Sequence, residues 1–160
     1  MSLSESKFDL SESVLRVVPH VLRTMLNLEV TPAKTAISRE VDRISAIIGI
    51  GGDAIRGMFY FHLPVSFAQV IAANLFAESS ENPVSDRQIN DAVGELCNMV
   101  AGGLKAALAD LGHDAGISPP SIIRGKSFSI ESEPDLEITH FPFACGQDVL
   151  DLEVHLKLEL

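Results

Sequence analysis

Along residues 85–112 the apolar side chains recur at spacings of three and four, which is the period of an amphipathic helix with one buried face. Ser85 is suited to cap the start of this helix, and Gly112 follows its last apolar position, as is typical of a helix end. The stretch is therefore predicted to be the longest helix of the chain. Its predicted buried positions are Ile89, Val93, Leu96, Val100, Leu104, Ala107, Leu108 and Leu111.

Two further segments have a helical pattern, residues 8–28 and residues 64–77, and a polar loop at residues 78–84 leads into the long helix. Pro19 falls inside the first of these helices. Because proline removes a backbone hydrogen bond and clashes with the preceding turn, Pro19 is expected to kink or split that helix.

Apolar and polar residues alternate strictly along residues 150–160, which predicts a strand with one buried and one solvent-facing side. Residues 35–50 are predicted to be extended and to form a hairpin with a strand at residues 58–63, through a turn at residues 51–53. Residues 121–130 and 136–143 are predicted to be strands as well. The resulting order αββααβββ predicts a single domain over residues 1–160, of the α/β class and α+β type, with helices packed on an antiparallel sheet.

Composition narrows the classes of function. The chain has 160 residues, 46% of them hydrophobic, and a net charge of −10, which suits one well-packed domain and disfavours nucleic acid or an anionic membrane as a partner. No apolar run is long enough to span a bilayer. Cys97 and Cys145 have no metal-binding or redox spacing, so a reducing, cytoplasmic location is expected, with Cys97 in the core.

The polar side of the long helix suggests a docking surface. Glycine inside a helix costs about 1 kcal/mol relative to alanine, and it lowers the helix surface so that another backbone can approach. Gly94 and Gly102 do this beside a carboxylate and a carboxamide one turn apart. The polar stripe comprises Asp91, Glu95, Asn98, Gly102 and Lys105.

The helix carries the pattern Asp91-x-x-x-Glu95-x-x-Asn98, followed by Met-Val-Ala-Gly at residues 99–102 and by Ile-Ser-Pro-Pro at residues 117–120. This pattern resembles the signature of the chemotaxis phosphatase CheX family, part of the CheC/CheX/FliY group. Residues 24–26, 45–50 and 57 are similar to that family as well, so the resemblance covers nearly the whole chain. One copy of the motif is present, as in CheX. The chain departs from the family at Pro19 and in having two prolines, Pro119 and Pro120, where the family has one.

The resemblance implies a phosphatase that acts on a phosphorylated response regulator of the CheY type in bacterial chemotaxis or two-component signalling. It assigns to Asn98 the orientation of the attacking water, and to Glu95 an ion pair with the regulator's active-site lysine. Helix spacing puts both side chains on one turn, so both can enter one pocket. Asp91 is expected to position the lysine contact and Pro120 to shape the end of the site. The regulator would supply the phosphoryl group and Mg²⁺, and this chain needs no cofactor of its own.

Two other functions remain open from the sequence. One is a non-catalytic adaptor that binds a regulator or a flagellar motor protein through the same helix face, and the other is a purely structural dimerisation domain. The presence of both Glu95 and Asn98 favours catalysis, because binding alone does not need an amide that orients water.

The remaining polar residues suggest no second site. The histidines have no ligand spacing, so no metal site is expected, and His62 and His155 are expected to face solvent. Residues 49–54 fit G-x-G-x-x-A, but a strand follows the turn where a nucleotide-binding fingerprint needs a helix. Ser118 is interpreted as part of a turn into a strand.

A homodimer is also expected. The resemblance implies one, and the strands predicted at residues 121–130 and 136–143 provide a physical route, because an exposed sheet edge tends to pair. A two-fold axis pairing like edges would leave the long helix of each chain outside the interface.

Overall fold

The computed structural model describes residues 10–37, 41–76, 84–126, 130–131 and 133–159. Its helices are α1 (Ser11–Leu26), α2 (Val65–Leu75) and α3 (Asp86–Asp110). Its strands are β1 (Thr31–Pro32), β2 (Arg43–Gly51), β3 (Ile55–Pro64), β4 (Gly116–Ile117), β5 (Ser121–Gly125), β6 (Glu137–Cys145) and β7 (Asp148–Leu158).

The strands form one antiparallel sheet in the order β1-β6-β7-β3-β2, and β4 and β5 both pair with the remaining edge of β2. This architecture confirms the predicted fold class. The predicted order αββααβββ is also correct once the two-residue strands β1 and β4 are set aside.

The helices cover one face of the sheet. In β2, β3 and β7 every second side chain is apolar and points to this face, where it joins the buried sides of the helices in one core. Burying each large side chain of this kind contributes roughly 1.5 to 3 kcal/mol. The sheet members of the core include Ile44, Ala46, Ile48, Phe59, Phe61, Leu63, Leu150, Leu152 and Val154.

Several predicted boundaries are wrong. Pro19 does not split α1, and the helix ends at Leu26 because Asn27 adopts a left-handed conformation with φ 54°. Leu111 is 55% exposed, since it follows the last helical residue. β2 begins at Arg43 rather than at residue 35, and β5 ends at Gly125. The parts of the predictions that fall on residues 8–9, 38–40, 77–83, 127–129 and 160 lie outside the described residues.

The opposite face of the sheet carries polar side chains that are buried at its centre. His62 and His155 are 4% and 1% exposed, so the expectation that they face solvent is wrong. Their neighbours on this face bury them: the ring of Tyr60 lies 4.7 Å from that of His155, and Nδ1 of His62 lies 2.6 Å from the hydroxyl of Ser45. Alternation along a strand identifies a second face, but it does not reveal how closely the side chains on that face pack.

Candidate functional site

Local sequence signals define α3, the helix that carries the predicted site. The hydroxyl of Ser85 accepts a hydrogen bond from the backbone N–H of Gln88, and the Gln88 side chain accepts one from the backbone N–H of Ser85. This capping box satisfies donors that the helix start leaves open. Gly112, with φ 89°, follows the last turn. The predicted buried positions of α3 from Ile89 to Leu108 are all buried in the core. The polar stripe on the other side of the helix therefore faces outward.

The N-terminal part of the polar stripe of α3 forms one wall of a cleft of about 630 Å³. Asp91, Glu95 and Asn98 are exposed and line it, and Gly94 lies at its base. The structure therefore brings together three polar residues that the sequence had singled out. The other wall consists of residues 117–120 with Ile122.

The two walls meet where Gly94 faces Pro120. A Cβ atom added at Gly94 would lie 3.5 Å from Cγ of Pro120, which is ordinary van der Waals contact. The absence of a side chain at Gly94 thus leaves a gap about one methyl group wide between α3 and the proline. Pro120 accordingly lines the cleft.

Gly102 and Gly103 have different surroundings. Gly102 does not line the cleft, and a Cβ atom there would meet nothing within 4 Å. At Gly103 an added Cβ would lie only 2.6 Å from Cγ1 of Val17 on α1, so this glycine serves the packing of α1 against α3. Gly102 extends the exposed stripe one turn beyond Asn98, next to the cleft rather than inside it.

The charge inside the cleft has one sign. All residues that line the cleft are described by the structure. Asp91 and Glu95 are the ionisable residues among them, and none of them is lysine, arginine or histidine. A phosphoryl group is an anion and its transfer needs cationic stabilisation. The cleft is therefore suited to receive a cation from a partner, and it is not suited to bind a free phosphate ester.

Sequence reasoning missed part of the lining. Asn90 lies one turn before Gly94 and lines the cleft, yet only the structure distinguishes it from an ordinary surface residue. Ser118, interpreted above as part of a turn, lies in the second wall, and its hydroxyl accepts a hydrogen bond of 2.8 Å from the backbone N–H of Gly49. No motif predicted this contact, because it joins residues 69 positions apart.

Cys97 lies in the core behind the cleft, as expected. It is fully buried, and burial raises the pKa of its thiol well above the ordinary range. A thiol in this environment is a poor nucleophile.

A second group of ionisable residues lies on the opposite face of the sheet. Oε2 of Glu153 lies 3.0 Å from Nε2 of His155, and Oε1 lies 3.3 Å from Nε2 of His140. Burial alone would raise the pKa of Glu153, but the contacts with His62, His155 and His140 outweigh it and lower this pKa to about 2.

Asp151 differs from Glu153 although it lies only two residues away on β7. It is 3% exposed, and burial raises its pKa, an effect that His140 and His62 only partly offset. Among the described residues, no group of three or more His, Cys, Asp or Glu is arranged to hold a metal ion.

None of the described helices combines the length and the apolar character needed to cross a membrane.

A family model and a curated relative identify the same protein family for this sequence. Residues 44–144 match the family model described as chemotaxis phosphatase CheX. The chain is 26% identical over 118 residues to the CheY-P phosphatase CheX of Thermotoga maritima, covering 72% of this chain and 75% of that protein.

Solved structures agree with this match. The crystal structure of the chemotaxis protein CheX from Vibrio vulnificus has a TM-score of 0.81 and 28% identity, covering 96% of this chain and all of that one. A crystal structure from Borrelia burgdorferi, of a CheX–CheY–BeF₃–Mg²⁺ complex, has a TM-score of 0.70 and 23% identity, covering 93% of this chain and 98% of that chain.

Proposed function

Because the chain belongs to the chemotaxis phosphatase CheX family, we propose that it dephosphorylates a phosphorylated response regulator of the CheY type. The Thermotoga maritima relative is named as a phosphatase of CheY-P, and the Borrelia burgdorferi relative was crystallised with CheY. Both names support the choice of a CheY-type partner for this chain.

The observation that carries the proposal is the cleft with its two carboxylates, its amides and no cation. An enzyme acting alone on a small phosphate ester needs positive groups around the phosphorus. A regulator brings its own lysine and Mg²⁺, and the metal ion neutralises charge on the phosphoryl oxygens. A negatively charged cleft therefore suits a phosphoryl group that is carried by a protein with its own lysine and Mg²⁺.

Asn98 is the residue proposed to orient the attacking water. Its carboxamide oxygen accepts a hydrogen bond from water, and its NH₂ group donates to a neighbouring acceptor, so it holds water in line with the phosphorus without acting as a strong base. An aspartyl phosphate is already reactive, so orienting the water is enough to accelerate its hydrolysis.

Glu95 is assigned to docking. It lies one turn before Asn98 on the same exposed face, so a lysine of the regulator that pairs with its carboxylate would bring the phosphoryl group next to Asn98. Asp91, one further turn back, adds negative charge that attracts the same lysine and fixes its position.

The decisive experiment follows the phosphoryl label. A CheY-type regulator, phosphorylated with a labelled small phosphodonor in Mg²⁺, is mixed with the purified protein. The label is expected to disappear faster than by the regulator's own hydrolysis. An unchanged rate, together with binding of the regulator, would instead support a non-catalytic adaptor. An unchanged rate without binding would refute both functions.

The protein is also proposed to form a homodimer through its sheet edges. Within the part of the chain that the structure describes, β5 pairs only with β2, and the outer edge of β6 is bonded only over residues 142–144, to β1 and Ala33. Pairing like edges across a two-fold axis would satisfy these backbone groups. α3 would lie outside such an interface, so each subunit would keep its own cleft.

A further inference from the structure

The second wall of the cleft pairs with β2 on either side of a short stretch in which it has one residue more than β2. Ile117 pairs with Ile50, and Ser121 pairs with Ile47. Three residues, Ser118, Pro119 and Pro120, therefore stand opposite two, Ile48 and Gly49. This is a β-bulge, a feature that bends a strand and redirects its side chains, often beside binding sites.

The two prolines make this bulge unusual in its hydrogen bonding. Neither Pro119 nor Pro120 has an N–H to donate to β2. Ser118 provides the bonds at this point: its backbone N–H donates to the carbonyl of Gly49 over 2.9 Å, and its Oγ accepts from the N–H of Gly49 over 2.8 Å. A side-chain oxygen thus replaces the backbone carbonyl that a regular strand would offer.

The same hydroxyl also acts inside the bulge. Oγ of Ser118 donates to the carbonyl of Pro119 over 3.2 Å. The hydroxyl therefore links β2 on one side to the first proline on the other, and the second proline faces Gly94 across the base of the cleft.

We propose that Ser118 is a positioning residue of the site: its hydroxyl holds the Pro119–Pro120 bulge at a fixed distance from α3, so that the regulator's active-site loop is seated between the two walls. The proposal rests on the function proposed above and extends it from α3 to the facing wall.

The geometry predicts which kinetic constant changes when the Ser118 hydroxyl is removed. Glu95 and Asn98 are held by α3, whose cap and buried face do not involve Ser118. Loss of the hydroxyl would free the wall and leave the N–H of Gly49 without this acceptor, while the water-orienting amide stays in place. Docking is therefore weakened more than the chemical step.

The test compares Ser118→Ala with Ser118→Thr, which keeps a hydroxyl, and with Ser121→Ala, the same type of change on the same edge outside the cleft lining. Three quantities are measured for each: amide hydrogen exchange at Gly49, dephosphorylation over a range of regulator concentrations, and binding to the beryllofluoride-activated regulator in Mg²⁺.

For Ser118→Ala we expect exchange at Gly49 to be faster by about tenfold or more and KM and Kd for the regulator to rise by about tenfold, with kcat within about threefold of wild type. Ser118→Thr and Ser121→Ala should resemble wild type. Should Ser118→Ala fail to fold, Ser118→Cys, whose thiol is a much weaker hydrogen-bond acceptor, takes its place in the same three measurements with the same expected changes.

The outcomes separate this proposal from the function on which it rests. Unchanged KM and Kd in Ser118→Ala, or a threonine variant as impaired as the alanine variant, would overturn the role of Ser118 while leaving the phosphatase function intact. A wild-type protein that binds the regulator without dephosphorylating it would refute the phosphatase function, and weaker binding by Ser118→Ala would then still support the positioning role. Wild type that binds no regulator overturns both.

Discussion

Asn98 and Glu95 are adjacent on the exposed face of α3, yet the roles assigned to them differ, so their alanine variants should fail in different ways. Asn98→Ala should lower the rate at saturating regulator by about 100-fold and leave binding nearly unchanged, because only the water is affected. Glu95→Ala should raise KM as well as lower the rate, because the lysine contact is lost.

Label loss across regulator concentrations measures both effects. Asp110→Ala is the matched control, since Asp110 is an exposed carboxylate of the same helix that belongs neither to the cleft lining nor to the polar stripe. Full activity in Asn98→Ala would rule out the proposed mechanism.

Glu153 and Asp151 provide a second contrast between neighbouring residues. A carboxylate whose pKa is lower in the folded state contributes stability above its unfolded-state pKa, and this stability is lost as the pH falls. For Glu153 the loss should occur as the pH falls from about 4.5 towards 2. Because the carboxylate is partly exposed and solvent screens its contacts, Glu153→Gln should lower the free energy of unfolding at pH 7 by roughly 1 to 2 kcal/mol, with a difference that shrinks as acid protonates the wild-type residue.

Asp151→Asn is the matched variant, because the pKa of Asp151 is shifted in the opposite direction. Its ionised form is disfavoured in the folded state, so the cost appears as the pH rises above about 3.8. The asparagine variant should keep or slightly gain stability at pH 7. Urea unfolding between pH 3 and 7 measures both variants, and equal losses in the two would contradict this account.

At the scale of single elements, α3 shows how far local sequence can predict structure. The capping residue, the final glycine and the apolar period all lie in the helix or within two residues of its ends, so its bounds and its exposed stripe are predictable almost as they occur. β1, β4 and the bulge at residues 118–120 were not predicted, because each is defined by pairing with a distant strand. The burial of His62 and His155 was missed for a related reason, since it depends on side chains from neighbouring strands.

Substitution by alanine at the two adjacent glycines of α3 should change the free energy of unfolding in opposite directions. Gly102→Ala should raise the free energy of unfolding by about 0.5 to 1 kcal/mol, because alanine favours the helix and the site is open. Gly103→Ala should lower it by about 1 to 3 kcal/mol, since the new methyl group would collide with Val17. Thermal unfolding of both variants checks the pair, and stabilisation by Gly103→Ala would show that α1 moves aside without cost.

A larger residue at Gly102 tests the extent of the docking surface. Gly102→Leu should fold normally, because an added Cβ atom meets nothing within 4 Å. It should nevertheless bind the regulator more weakly, because the leucine side chain projects beside Asn98 where a partner would approach. Binding equal to that of Gly102→Ala would mean that the partner does not reach this turn of the helix.

At the scale of the whole molecule, the two sheet edges predict the state of assembly. Sedimentation equilibrium at micromolar concentration should give about twice the chain mass of 17.2 kDa. Ile123→Lys on β5 and Ile138→Lys on β6 place a charge at each edge in turn, and the one at the interface should shift the protein towards monomer. Leu15→Lys, an exposed position on α1, is the control. A wild-type monomer at this concentration would contradict the dimer.

The sequence separation between Ser118 and Gly49 also predicts when the cleft forms during folding. It closes a loop of 69 positions, whereas the capping box of α3 spans three. Local structure forms sooner than structure that needs such closure. The helix should therefore be present early, and the facing wall only after β2 has joined the sheet. A peptide covering residues 85–122 would contain every residue that lines the cleft, yet without β2 it should have no cleft.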